Sequence, residues 1–476
     1  MATTPVVTVT SPAPGAQVSS PINFVASASS PNCASGIAAM RIYAAPGDGV
    51  YTVDASQLNT NISLAAGTYH TVVQAWDNCG GVGDADVTIT VAAGSLPAPR
   101  FVYLTEHSNG QIGGYLVNPQ NGQLSSTGQP PVWAHWGPCC IASDSGGYRL
   151  YVANEGSSDV SAYFINRNNG YLTAVPGANF PTGGWGSNIV VHPSNAFVYV
   201  TTINSTGVGS NTISGFSVAS NGSLVPVPGS PYMVDQPLFA LAINPGGQYL
   251  YASNGAPDVF AYSINRSTGA LTALPGSPLQ ITPAQCTYCN TSYDEFNDMK
   301  IDHTGKYLIA PGYTNGVIYV EAINASTGAL TPVSGSPFDD NEISCPIAEY
   351  CSGGTPTSLT VDATNAHVIV MNTIPGANDI VTYQFNAATG ALTKQATTPP
   401  PYGTFYFGES GESIRADPSG QFVYGLGFQQ LVGQSAVGAM TGYQVNQTTG
   451  SLTEVPNAPY PSPGNQNSED GLVVTP

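Results

Sequence analysis

Seven times this chain writes one phrase: a short alternating strand, then Asn-x-x-x-Gly-x-Leu, then more strand. The copies run Asn118–Leu124, Asn166–Leu172, Ala219–Leu224 (one residue shorter), Asn265–Leu271, Asn324–Leu330, Asn386–Leu392 and Asn446–Leu452. Their glycines, from Gly122 to Gly450, are spaced 48, 52, 47, 59, 62 and 60 residues apart. A supersecondary unit repeated at a period near fifty cannot bury its own faces and must pack against its copies.

Before each phrase come two apolar runs joined by a tight turn, as in Ile189 to Pro193 followed by Phe197 to Thr201. The turns read Asp144-Ser145-Gly146, Pro245-Gly246-Gly247, His303-Thr304-Gly305 and Pro418-Ser419-Gly420, residues that supply fixed or positive φ. Each unit is therefore four strands, A to D, with the Asn-Gly turn between C and D. The first unit begins at strand B, Phe101 to Glu106, and the chain ends in a lone strand A, Gly471 to Pro476. The expected fold is all-β: a seven-bladed β-propeller closed by the C-terminal strand, which removes free sheet edges.

Residues 1–93 carry short alternating runs punctuated by turns, including Tyr69 to Trp76, and that spacing indicates a β-sandwich. The expected organisation is a sandwich over 1–93, a linker over 94–99 and the propeller over 100–476. Charged residues make up only 8% of the chain, and nine Lys and Arg against 28 Asp and Glu leave a net charge of −19. Nucleic-acid binding, which needs clustered cations, is excluded on that count. No stretch reaches the eighteen apolar residues of a membrane span.

The eight cysteines fall in four pairs, Cys33 with Cys79, Cys139 with Cys140, Cys286 with Cys289 and Cys345 with Cys351, and read as disulfides of a secreted or periplasmic protein. Cys286-x-x-Cys289 is also half of a zinc motif, but no second half completes it. The opening Met-Ala-Thr-Thr lacks a charged and apolar leader. The reading is that a secretion leader was removed and a methionine added.

The units built like Tyr148-Arg-Leu-Tyr-Val-Ala-Asn154, followed by Gly-Ser-Ser-Asp-Val-Ser-Ala-Tyr-Phe-Ile-Asn166, resemble the blades of lactonase-type seven-bladed propellers, the family of 6-phosphogluconolactonase and the carboxymuconate cyclases. Tyr69-His-Thr-Val-Val-Gln-Ala-Trp76 resembles the penultimate strand of a bacterial immunoglobulin-like module. The lactonase resemblance implies Arg and His at the starts of strand A, holding an anionic substrate. Aligned on their turns, the seven strands place Cys139, Ser187, Phe239, Asn297, Thr357, Glu412 and Asp470 in that column, and Cys140, Asn188, Ala240, Asp298, Ser358, Ser413 and Gly471 in the next. Neither column holds an Arg or a His, so an anionic lactone would meet carboxylates instead.

What the repeat does not repeat is the loops from strand D to the next strand A. They collect Trp133, Trp136, Trp185, Tyr293, Glu295, Asn297, Glu409 and Asp470 as ligand-binding candidates, the rings to stack on sugar faces and the polar groups to accept hydroxyl hydrogens. Catalytic candidates are Glu412 and Asp298 as a carboxyl pair, His135 as a base and Arg415 as a cation for an anionic intermediate. Asp298, Glu412 and Asp470 are the candidate ligands of a calcium ion in the channel. Two functions compete on this evidence: binding of a neutral hydroxyl-rich small molecule or glycan at an acidic, aromatic mouth, or a lactonase-like or glycoside-cleaving hydrolase. Oligomeric state is not readable from the sequence.

Overall fold

The computed structural model describes residues 4–18, 22–45, 48–62, 67–91, 100–203, 211–254, 256–281, 296–313, 315–339, 356–373, 379–399, 405–407, 414–429, 437–461 and 469–476. It divides into two compact units, Met1–Ser95 and Leu96–Pro476. The first unit has one sheet of Val6–Ser11, Ile22–Ser29 and Gln57–Ile62, and a second of Gln17–Val18, Val82–Val91, Gly67–Asp77, Ile37–Ala45 and Asp48–Val53. Strand Ile22–Ser29 shows why: its alternate residues Ile22, Phe24, Ala26 and Ala28 are buried and share a core with Met40, Ile42, Val73 and Ile89. Cys33 and Cys79 form the expected disulfide, with Cα atoms 5.9 Å apart. Asp77 beside it accepts from Ser30 Oγ and the amides of Cys79 and Gly81.

The second unit is seven antiparallel sheets, each ordered A, B, C, D from inside outward. Blade two is typical: Pro138–Ser143, Arg149–Asn154, Asp159–Ile165 and Leu172–Pro181. In blade one the inner strand is Glu469–Thr475, which pairs with Phe101–Glu106 through Leu472↔Leu104 and Thr475↔Phe101. It also neighbours the inner strands of blades two and seven. Gly471 is required there, because a Cβ at that position would lie 2.8 Å from the Cys139 carbonyl oxygen.

The repeated phrase turns out to be a fastener between blades. A strand-B tyrosine donates its hydroxyl hydrogen to the carbonyl of the phrase's glycine in the next blade: Tyr103 to Gly170, Tyr199 to Gly269, Tyr251 to Gly328 and Tyr424 to Gly122, all at 2.7–2.8 Å. Each of these glycines has a positive φ and faces a ring of the preceding blade; a Cβ on Gly122 would sit 2.5 Å from Phe422. The shortened third copy breaks the pattern. Gly222 N bonds back to Ala219 O, three residues away instead of the usual four, and the Tyr151 hydroxyl that should reach this turn is buried with no hydrogen-bond partner among the described residues. Burial pushes its pKa up to about 12, so the group stays a protonated donor. Blades five and six put Ile309 and Ile369 in the tyrosine column.

These bonds make an expected contrast. Tyr199→Phe leaves a buried glycine carbonyl unpaired and should cost about 1–2 kcal/mol, whereas Tyr151→Phe removes an orphan hydroxyl and should be neutral or stabilising. Chemical denaturation of the two variants against the parent reads the difference directly.

Several acidic residues are spent on architecture. Asp144, Asp302, Asp362 and Asp417, with Asn244, sit at the A–B turns and accept backbone amides four or five residues on, as Asp302 Oδ1 does from Lys306 N and Tyr307 N at 2.8 Å. Glu321, on blade five's strand C (Val317–Ile323), is 3% exposed, and burial pushes its carboxyl up to about 7. Because the folded pKa lies above the unfolded one, the protonated group's contribution is complete below pH about 4.5 and is lost as pH rises through about 7. Glu321→Gln should therefore match the parent near pH 4 and exceed its stability by about 3 kcal/mol at pH 8, measured as midpoints of urea unfolding at both pH values.

Candidate functional site

The D-to-A connection between blades one and two carries the candidate site. Val132–Trp133 pairs with Gln111 and Ile112 at the start of blade one's strand C, which fixes Trp133 opposite Gln111. From there the backbone is held at nearly every step. Trp133 O accepts from Tyr163 Oη at 2.7 Å, Ala134 N donates to Gly110 O at 2.8 Å, and Ala134 O accepts from Ser161 Oγ. Trp136 O accepts from Ser157 N, and Gly137 O from Glu155 N at 2.7 Å. Between these anchors His135 adopts φ 114°, a region that non-glycine residues enter only when their surroundings force it.

The His135 ring is bound on both nitrogens. Nδ1 lies 2.7 Å from Asp159 Oδ2, and Nε2 lies 2.9 Å from Asn179 Nδ2. With Nδ1–H given to the carboxylate, the neutral ring presents Nε2 as an acceptor, and the exposed Asn179 amide donates to it. Asp159 is itself fixed, its Oδ1 accepting from Asn154 Nδ2 at 2.7 Å and Ser157 Oγ at 3.1 Å. Trp133 and Trp136 flank the histidine, packed edge to face with ring centroids 5.4 Å apart, and both are exposed, 48% and 63%. A second histidine–carboxylate pair, His107 Nε2 to Glu155 at 3.2 Å, stands on the loops next to it, near Gly137.

A histidine backed by a carboxylate and flanked by two exposed indoles brings together groups of the kind that a general base and a stacking platform use. Sequence reasoning selected Trp133, His135 and Trp136, and the structure brings them together. It missed Asp159 and Asn179, which come from elsewhere in blade two. The visible signal was Asn154-Glu-Gly-Ser-Ser-Asp159, an amide and a carboxylate bracketing a B–C loop; blade six repeats the clamp as Asn372 Nδ2 to Asp379 at 2.8 Å.

Trp185 opens blade three's inner strand and is 40% exposed. Asn297 is half-buried beside Phe296. Arg415 lies on Ile414–Ala416 and donates from Nη1 to the Ile414 carbonyl at 2.9 Å. Glu412, Glu409, Tyr293, Glu295, Cys286, Cys289, Cys345 and Cys351 lie outside the described residues, as does the side chain of Asp470.

Two expectations need correction. Asp298, taken as a catalytic carboxylate and a calcium ligand, is 1% exposed and fully engaged: Oδ1 accepts from Met299 N and Lys300 Nζ, Oδ2 from Ser358 Oγ and Leu359 N. Four donors occupy its lone pairs and leave none for a cation, so it is a clamp between blades five and six. Cys139 and Cys140 are two thiols, not the expected disulfide, with sulfurs 2.7 Å apart. Their protons serve polar neighbours, as Cys139 Sγ does with Gly186 O at 3.0 Å.

The alignment column where the resemblance implied Arg is, in the fold, the column of β-bulges. Ladder registers shift across Cys139, Ser187, Phe239 and Thr357 in blades two, three, four and six. Those positions are re-aimed relative to a regular strand.

The family described as "Lactonase, 7-bladed beta-propeller" matches residues 52–178 and 173–287. Among solved structures, the periplasmic gluconolactonase of Pseudomonas aeruginosa superposes with a TM-score of 0.60 at 15% identity, covering 80% of this chain and 99% of that one. The second unit has the fold of lactonase-type propellers. A protein from Lactobacillus plantarum superposes to a similar extent, with a TM-score of 0.59 at 14% identity over 80% of this chain and all of that one. In sequence, the probable 6-phosphogluconolactonase of Arthroderma benhamiae is 28% identical over 112 residues, which span 22% of this chain and only 25% of that protein. Likeness at these structural identities speaks for the fold alone. The described residues include no helix long and apolar enough to cross a membrane.

Proposed function

We propose that the lactonase-type propeller is a hydrolase of an uncharged, hydroxyl-rich lactone, with His135 as its general base. The observation that carries this is the Asp159–His135 pair, held at 2.7 Å beside two exposed tryptophans on an over-determined backbone. Water takes the place of the Asn179 amide at Nε2, and His135 removes its proton as it attacks the lactone carbonyl. Asp159 stabilises the imidazolium, which then returns the proton to the ring oxygen as the ester bond breaks; lactone and water become a hydroxy acid. The comparisons support a lactonase-like chemistry over simple ligand retention. The missing Arg and His columns and a net charge of −19 support a neutral substrate over a phosphorylated one.

The exposed indole pair favours one second reading, a binding protein for a sugar-like ligand with no turnover. A screen of neutral and phosphorylated sugar lactones with a pH indicator separates the two. Turnover of neutral lactones is expected, with Trp136→Ala raising KM roughly tenfold, the worth of about 1.4 kcal/mol of ring stacking. Retention of the same compounds with no acid released from any would overturn the hydrolase and leave the binder. Disulfide use and the periplasmic likeness support an exported protein whose first unit is an immunoglobulin-like carrier for the propeller.

A further inference from the structure

Cys139 and Cys140 open blade two's inner strand at the point where its ladder shifts register between Pro138 and Cys140. Consecutive strand residues ordinarily point to opposite faces. A bulge sets two residues against one on the partner strand and re-aims them, and here it brings both sulfurs to within 2.7 Å. Both thiols are buried. Cys139 Sγ donates to Gly186 O at 3.0 Å and lies 3.6 Å from Ala153 O; Cys140 Sγ lies 3.1 Å from Ser187 O. Gly186 and Ser187 belong to Trp185–Val191, the inner strand of blade three. Cys139 Sγ and Ser187 O both lie within reach of the Cys140 thiol.

We propose that Cys139 and Cys140 are a reversible oxidation site that closes to a vicinal disulfide when a small peroxide reaches it. One sulfur takes an oxygen atom from the peroxide, giving a sulfenic acid and one water. The other sulfur attacks it; the S–S bond forms, the S–O bond breaks, and the hydroxyl leaves as a second water with the remaining thiol proton. Two thiols and one hydrogen peroxide thus become one disulfide and two waters, and a dithiol reductant reverses the change by exchange. Held at 2.7 Å, the second thiol outcompetes another peroxide for the sulfenic sulfur. Oxidation removes both S–H donors, so the Gly186 and Ser187 carbonyls lose their thiol partners next to Trp185. This site stands apart from the hydrolase reading and does not depend on it.

The chain itself supplies a clean assay. Cleavage after Arg100 and Arg149 releases Phe101–Arg149, in which Cys139 and Cys140 are the only cysteines and there is no methionine. The native full chain is treated with hydrogen peroxide, alkylated, digested and weighed. The expected result is a peptide lighter by two hydrogens that carries no alkyl group, and carries two when a dithiol precedes alkylation. Cys140→Ser should instead leave Cys139 as a sulfenic acid that dimedone captures. Two alkyl groups after peroxide without reduction, a sulfinic acid on either cysteine, or a bridge to another cysteine peptide would each overturn the proposal.

Discussion

Asp298→Ala should lower the propeller's unfolding free energy by about 3–5 kcal/mol, the cost of breaking a buried ion pair from one side. The substitution deletes the acceptor of four donors at once: two backbone amides, the Ser358 hydroxyl and the Lys300 ammonium. The ammonium would keep its weaker contact to Met299 O at 3.3 Å. Asp298→Asn should cost less, since an amide still offers one acceptor oxygen but turns its NH₂ against two existing donors. Thermal and urea midpoints read both. The result decides between two roles, because a catalytic or calcium-binding Asp298 would lose activity or metal affinity while keeping its midpoint.

His135→Ala should do the reverse. Loss of a general base lowers kcat/KM by 10²–10⁴, while the half-exposed ring contributes little to the core. His135→Gly sharpens the test, because glycine accepts φ 114° without strain. That variant should be inactive yet as stable as the parent or more stable by about 1 kcal/mol. Lactone hydrolysis followed alongside thermal midpoints gives both numbers. A glycine variant that is active, or one that unfolds early, would remove His135 from the mechanism.

The blade architecture was legible because its signals are local and repeated: Gly170 must have positive φ, and Leu172 must re-enter the core two residues later. Asp298 shows where legibility stops. In sequence it is an acid in a loop full of acids; only folding brings Ser358 and Leu359 from sixty residues away to saturate it. The same distance hid Asp159 and Asn179 behind His135, since partners that meet across a sheet leave no short-range pattern. Cys139 and Cys140 looked like a bond because they are adjacent, but a regular strand would have separated their side chains. The bulge that reunites them is written in a register shift, not in composition.

The unanswered hydroxyl of Tyr151 has a mechanical consequence. A ring whose neighbours are keyed to each other opens where a key is missing, and the joint between blades two and three carries a buried donor with nothing to turn. Amides along that seam should exchange with solvent ahead of those at the joints fastened by Tyr103, Tyr199, Tyr251 and Tyr424. It is also a natural place to cut and rejoin the chain, since new termini there would sacrifice no tyrosine fastening. Blade two thus bears His135's partners on one side and borders a joint with one fastening fewer on the other.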